Sequence, residues 1–459
     1  MPGSTNALMG GCSARMRPTV AARRRSLGDA GMNCFGCNEH IRFTRRRFLN
    51  GAIGAGAGSF LGLLRPEVLF AQPSKNRKAD SVILLWMGGG MSHLDTLDPK
   101  PGTPTGGPFE AISTAVKDIR ISEKLPRLAK EFKDLSLIRS LTSKEGSHER
   151  ATYMMHTGYM PISSFQHSTL GSVTWKMLGQ KNPDLPAYIS IGRETWPAGF
   201  LGSNYAAFQI ENPDRPAQNL EYHGSVDDKH FQARLKLLNE FDRKFAAEHR
   251  GAEVIEAYAN HYKAAYKLMK SRSVAAFDLS GEPAPIRQRY GETYFGQGCL
   301  LARRLVQAGV RFIEVSFGGW DTHQQNFDRV AELSATLDQA VSALIADLRA
   351  KSLLERTLVV LASEFGRTPE INGNEGRDHW PRVWSAMLAG GGIVGGRVHG
   401  ESTPGGHEVA KDPVQIGQLH ATVCKALGID PTAQNTAPDG RPIRIVQDIN
   451  LHPIDALFS

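Results

Sequence analysis

Two apolar runs joined by one amphipathic segment constrain this chain most. Arg311-Phe312-Ile313-Glu314-Val315-Ser316 and Thr357-Leu358-Val359-Val360-Leu361 each read as a strand buried on both faces. Between them Val330, Leu333, Leu337, Val341, Leu344, Ile345 and Leu348 recur at a period near 3.6, that of a helix with one buried face. Strand, helix, strand is a crossover unit, so the two strands should be parallel with a right-handed connection. Parallel sheets are covered by helices on both faces, which makes α/β the expected fold class. In such sheets ligands sit beyond the carboxyl ends of the strands.

Those ends carry reactive residues. FGGWDTH (317–323) follows the first strand, LASEFGRT (361–368) follows the second, and GRDHWP (376–381) lies just downstream. Together they offer Asp321, His323, Glu364, Asp378 and His379. Mixed carboxylates and imidazoles suit Zn2+ or Mn2+ better than Ca2+, which wants oxygen ligands throughout. Two upstream groups are candidates to complete the site. His93 and Asp95 follow the apolar run Ser81–Met87 and its three glycines. Ser147, His148, Glu149 and Arg150 follow a second predicted strand, Asp134–Ser140. Arg150, Arg367 and Arg377 are candidate anion clamps, since a guanidinium holds phosphate or sulfate oxygens bidentately.

Elsewhere, Leu185–Ile191 suggests another strand, and Cys299–Ala308 a helix stopped by Gly309. Residues 226–276 look like a helical insertion, with Phe231, Leu235, Leu238, Phe241, Phe245, Ile255, Tyr258, Tyr262 and Tyr266 at helical spacing and expected in a core. Asp412-Pro413 reads as the cap and first residue of a last helix with Ile416, Leu419, Val423 and Leu427 inward. His420 and Cys424 on it are read as packing or surface residues.

Charge separates a leader from the rest. Residues 1–71 hold ten Lys and Arg against three Asp and Glu, while the others hold 44 against 43. A nearly neutral body with no basic stripe argues against nucleic acid as a partner. Thr44-Arg45-Arg46-Arg47-Phe48-Leu49-Asn50 matches the twin-arginine export pattern. The following run, Gly51–Leu64, is too short for a membrane span and suits a signal. Cleavage after Ala71, with Met32 as an alternative start, is the expectation. It gives a leader over 1–71, a body over about 80–455, no stable transmembrane anchor, and a periplasmic or extracellular location. Three of five cysteines lie in the leader, leaving Cys299 and Cys424, too few for a disulfide framework.

The leader, then VILLWMGGGMSHLDTLDPKP, SHERATYMMHTGY, FGGWDTH, SEFGRTP and GRDHWP in that order, resembles the bacterial proteins grouped as domain of unknown function 1501, placed in the alkaline phosphatase superfamily. The resemblance spans nearly all of the body. It implies a mostly parallel central sheet sandwiched by helices, with a divalent-metal site at the strand ends. The superfamily includes phosphatases, sulfatases, phosphonate hydrolases and phosphomutases. Asp321, His323 and His379 match its Asp, His and later His. Where it has an Asp-His pair, this chain has Glu364-Phe365. Where its first strand ends in an Asp ligand, this chain has Met87-Gly88, with only His93 or Asp95 near. Its nucleophile position falls on or near Ala151, with Ser147 and Thr152 as neighbouring hydroxyls, and the formylglycine sulfatase pattern is absent. The resemblance thus supports one metal site and leaves a second short of ligands. It implies an exported metal-dependent hydrolase of phosphate, sulfate or related esters, acting on a small anionic ester or a sulfated or phosphorylated glycan and moved by the twin-arginine translocase. The alternative is a non-catalytic metal-containing binding protein on the same fold, in an exported polysaccharide-handling complex.

Overall fold

The computed structural model describes residues 77–458 apart from 193–194, 216–221, 223 and 249–251. The leader, with its twin-arginine pattern and expected cleavage point, lies outside the described residues, as do the side chains of 246 and 252–258.

Nine strands build one sheet: β1 Ser81–Trp86, β2 Leu135–Thr142, β3 Tyr188–Ile191, β4 Phe208–Ile210, β5 Phe312–Ser316, β6 Thr357–Ala362, β7 Trp384–Ala389, β8 Arg397–His399 and β9 Val414–Gln415. Their order is β8-β2-β7-β6-β1-β5-β3-β4, with β9 also pairing β2. Every pairing is parallel except the two made by β7. The principal helices are α1 His148–Thr157, α2 Leu170–Leu178, α3 Asp228–Glu248, α4 Ala252–Lys270, α5 Tyr294–Ala308, α6 Asn326–Ala350 and α7 Ile416–Leu427. β5 and β6 are parallel, as the crossover pattern predicts, but β1 lies between them and pairs with both.

The period of two along each strand makes two cores. Ile83, Leu85, Met87, Val359 and Leu361 pack with Leu300 and Leu301 of α5 and Leu337, Val341 and Leu344 of α6. Val82, Trp86, Leu358 and Val360 pack on the other face with Met155 of α1, Val173 of α2 and Leu419, Val423 and Leu427 of α7. A strand buried on both faces cannot alternate polar with apolar, which is why β1 and β6 read as unbroken apolar runs.

Two expectations fail locally. Asp412-Pro413 does not start α7, whose N-cap is Gln415. The preceding residues are drawn into the sheet, Val414 and Gln415 pairing with Leu141 and Thr142. The Asp412 carbonyl accepts from Ser140 Oγ at 2.6 Å. The insertion is helical, but its stripe is not all core. Phe231 stacks on Tyr266 at 5.7 Å, joining the start of α3 to the end of α4, whereas Phe241 and Phe245 are exposed. Two helices side by side bury only the stripe between them. Among the described residues no helix is long and apolar enough to cross a membrane.

Leu361 is fully buried in β6 beside β1. Leu361→Ala should cost about 2–5 kcal/mol, read as a lower urea midpoint with unchanged slope.

Candidate metal centre

Four chain segments meet beyond the carboxyl ends of β1, β5 and β6. The loop after β5 carries Asp321 and His323. Glu364 follows the end of β6, and a short hairpin then pairs Gly366–Arg367 with His379–Trp380, His379 opposite Arg367. The first residue of α1 is His148, from the loop after β2. Two glycines let these segments touch. A Cβ on Gly89, whose φ is +114°, would fall 2.5 Å from the Asp321 nitrogen. One on Gly376 would fall 1.8 Å from the His323 carbonyl oxygen. No side chain fits at either place.

The result is a convergence on one oxygen. Asp321 Oδ1 lies 3.1 Å from His323 Nε2, 3.3 Å from His379 Nε2 and 3.3 Å from His148 Nε2. The Nε2 atoms of His323 and His379 are 3.0 Å apart. The ligand atoms of His148, Asp321 and His379 all lie within 4.8 Å of one another.

The other nitrogen of each ring decides what this means. His323 Nδ1 is 2.6 Å from Asp378 Oδ1, His379 Nδ1 is 2.8 Å from the Gly146 carbonyl, and His148 Nδ1 is 2.8 Å from Glu364 Oε1. All three partners are acceptors, so each Nδ1 carries the proton and, in a neutral ring, Nε2 carries a lone pair. Lone pairs facing each other and a carboxylate repel unless a cation or a proton lies between them. His148 Nε2 is buried and makes no hydrogen bond. Ligand atoms around a Zn2+-sized ion at about 2.0–2.1 Å stand roughly 3.3 Å from one another, close to the spacings here. Imidazoles held through their second nitrogen by a carboxylate or carbonyl are the usual outer shell of a metal centre. The residues fit a divalent cation.

The charge states at the centre follow from these contacts. Burial works against the Asp321 carboxylate, but the bond and charge of Arg367, with His148 and His323, hold its pKa down to about 2. His379 is shifted down, chiefly by burial. The hydrogen bond to Glu364 is the main cause that shifts His148 up. The His323 hydrogen bond holds Asp378 below the usual carboxylate range. Glu364 is pinned by the Gly89 N–H at 2.8 Å and by Ser363 Oγ at 3.2 Å.

A cleft of about 750 Å³ opens beside the centre. His148, Asp321 and Glu364 line one part, and Thr152, His156, Thr195, Trp196 and Glu314 another. Glu314, buried in β5, accepts from Tyr188 Oη at 3.0 Å and Thr195 Oγ1 at 2.9 Å, and pairs with His156 Nε2 at 3.1 Å.

A family model described as protein of unknown function (DUF1501) matches residues 79–458. The chain belongs to the DUF1501 family. Comparison with curated proteins gave no match. Structures similar to this DUF1501 protein include members of the alkaline phosphatase superfamily. One is the PsFucS1 sulfatase from Pseudoalteromonas sp., 12% identical, covering 92% of this chain and 75% of that one, TM-score 0.40. Another is an alkaline phosphatase superfamily protein from Vibrio parahaemolyticus, 12% identical, covering 77% and 67%, TM-score 0.33. A third is the C-terminal periplasmic domain of EcEptC from Escherichia coli in complex with Zn, 10% identical, covering 83% and 96%, TM-score 0.37.

In this DUF1501 chain the candidate residues divide into three groups. His148, Asp321 and His379 offer their ligand atoms to one point, and His323 Nε2 lies beside Asp321 Oδ1 and His379 Nε2. Glu364 and Asp378, read from the sequence as ligands, stand behind His148 and His323 as hydrogen-bond acceptors. The structure does not bring the remaining candidates to the centre. Asp95 is fully buried and paired with Arg377 at 2.8 Å. His93 is fully buried against the Gly406 carbonyl at 3.0 Å. Arg367 and Arg377 are buried and bonded to backbone carbonyls, Arg367 also to Asp321, so neither is open to an anion. Arg150 points outward to Glu145 at 2.7 Å. Ser147 is the exposed N-cap of α1, Ala151 is buried, and Thr152 lines the cleft. Sequence reasoning missed Glu314 and His156. The available signals were a carboxylate inside the strand run and the spacing of His148, Thr152 and His156 at i, i+4 and i+8, one helix face.

Asp95→Asn tests the structural assignment of that carboxylate. It leaves Arg377 buried without its counter-charge, at a cost of about 3–5 kcal/mol. Denaturant unfolding should show that loss, while the metal content of the folded fraction stays at the wild-type level.

Proposed function

We propose that this protein is an exported, metal-dependent hydrolase of phosphate, sulfate or related esters. The observation that carries the reading is the convergence of three imidazole Nε2 atoms on Asp321 Oδ1 beside a cleft that His148 and Asp321 line. His148, His323, His379 and Asp321 would hold the ion, of which Zn2+ or Mn2+ suits the donor set. A divalent ion supplies Lewis acidity toward an ester oxygen and makes water a better nucleophile at neutral pH. The chain's own residues do the rest. Glu364, Asp378 and the Gly146 carbonyl fix the three rings, so little reorganisation is needed when substrate arrives. Arg367 fixes the Asp321 carboxylate.

The cleft's charge makes a specific demand. Asp321, Glu364, Glu149 and Glu314 line it, and no Lys or Arg does among the described residues. An anionic ester would therefore depend on the bound cation for attraction. Inorganic phosphate should bind the metal-loaded protein and not the chelated one, by calorimetry. Activity on 4-nitrophenyl phosphate or sulfate should fall at least about a hundredfold in His323→Ala or His379→Ala, both with reduced metal by elemental analysis. Ser147→Ala and Thr152→Ala should each keep most of the activity. Equal, near-zero metal in wild type and both His variants after metal-supplemented expression would sink the reading.

One observation favours a second reading, a metal-containing binding protein without catalysis. The nucleophile position falls on or near a buried Ala151, and Ser147 does not line the cleft. Full metal occupancy with no turnover of any ester would select it.

Export by the twin-arginine route rests on Thr44–Asn50. Replacing Arg45 and Arg46 together by Lys should keep the precursor in the cytoplasm on fractionation. Unchanged export would remove the route.

A further inference from the structure

We infer that the crevice has a second lobe that binds a neutral, polyhydroxylated ring, the sugar part of the ester on which the proposed centre acts. This deepens the hydrolase reading, and rests on it for the word ester alone.

A second cavity of about 550 Å³ adjoins the metal-side cleft. Trp86, Gly88, Ser316 and Gly318 line both, so they form a saddle between two lobes. Each volume lies within the roughly 300–1,000 Å³ of small-molecule sites. The saddle is low because two of its residues are glycines. A Cβ on Gly318 would meet nothing nearer than the Gly88 carbonyl oxygen at 3.9 Å. Larger side chains there would stand between the lobes.

The lining of the far lobe selects the ligand. Phe317, stacked at 4.5 Å on the buried Phe295, and Tyr294, 41% exposed, present rings to the lobe. Aromatic faces accept the C–H face of a ring. Among these rings lie the hydroxyls of Thr336 and Ser316. The indole of Trp86 adds a donor. It is 7% exposed, and a Cβ on Gly88 would fall 3.3 Å from its Nε1, which places the N–H beside the saddle. An alkyl chain would cover these donors and leave them unpaired, at a desolvation cost. An anion is disfavoured too. Among the described residues no Lys or Arg lines the lobe, and burial first, then the Glu211 and Asp214 carboxylates, push the Tyr294 hydroxyl up. A sugar fits this lining, with apolar faces for the aromatic rings and hydroxyls for the polar groups.

The test uses the mature protein, both metal-loaded and chelated, titrated calorimetrically with cellotriose, laminaritriose and maltotriose. 4-Nitrophenol and inorganic phosphate are the comparison ligands. At least one trisaccharide should bind saturably in both metal states, since the far lobe contains no metal ligand. Tyr294→Ala should weaken that binding about tenfold through loss of the ring face, and Trp86→Phe should weaken it with the fold intact by circular dichroism. No saturation with any of the three sugars overturns the inference. So does wild-type affinity in Tyr294→Ala, or tighter binding of 4-nitrophenol than of the sugars. Sugar binding with no phosphate binding to loaded protein would defeat the hydrolase reading and leave the sugar lobe standing. Phosphate binding without sugar binding would do the reverse.

Discussion

Lone pairs on three imidazoles are aimed at one carboxylate oxygen, and the strand-end region is arranged to keep them there. Each ring is tied through Nδ1 to an acceptor, Asp378, Gly146 or Glu364. Those acceptors are themselves tied, Asp378 by Asn372 and Glu364 by the Gly89 N–H. The buried guanidinium of Arg367 holds Asp321 and bonds the carbonyls of Gly89, Gly90 and Arg377, joining three of the converging segments. Such an arrangement is unfavourable on its own, because like partial charges face one another across 3.0 to 3.3 Å. A bound cation turns that repulsion into attraction, which couples metal binding to the stability of the whole edge.

Legibility from sequence followed the physics of each element. β1 and β6 were readable because burial on both faces leaves an unbroken apolar run, β5 because Glu314 alone interrupts its run, and α6 because its stripe has a helical period. β8 and β9 have three and two residues, and pairing with β2 rather than any pattern of their own makes them strands. The same pairing moved the start of α7 past Asp412-Pro413. In the insertion the stripe was readable, but its exposure was not, because that depends on what lies opposite each helix.

The centre was readable as a set of residue types and not as a division of labour. The three strand-end motifs put Asp321, His323, Glu364, Asp378 and His379 in one region. Which of them face the common point depends on side-chain direction. Glu364 turns to His148 and Gly89, and Asp378 turns behind His323. His148 was named among the residues that could complete the site but not as a metal ligand, since the facing of α1 decides its part. Asp95 looked available because its partner, Arg377, lies 282 residues away along the chain. A buried ion pair closed by so long a loop leaves no local trace. Glu314 is the converse case, a carboxylate inside an apolar strand whose partners His156, Tyr188 and Thr195 come from three other segments.

The most direct measurement of the central claim is X-ray absorption at the metal edge of the mature protein, purified after expression with zinc. The account predicts a bound ion with three imidazoles and at least one oxygen in its first shell, falling to two imidazoles in His148→Ala. A protein that binds no metal under those conditions would contradict it. So would a first shell of oxygens alone, or one unchanged by the loss of His148.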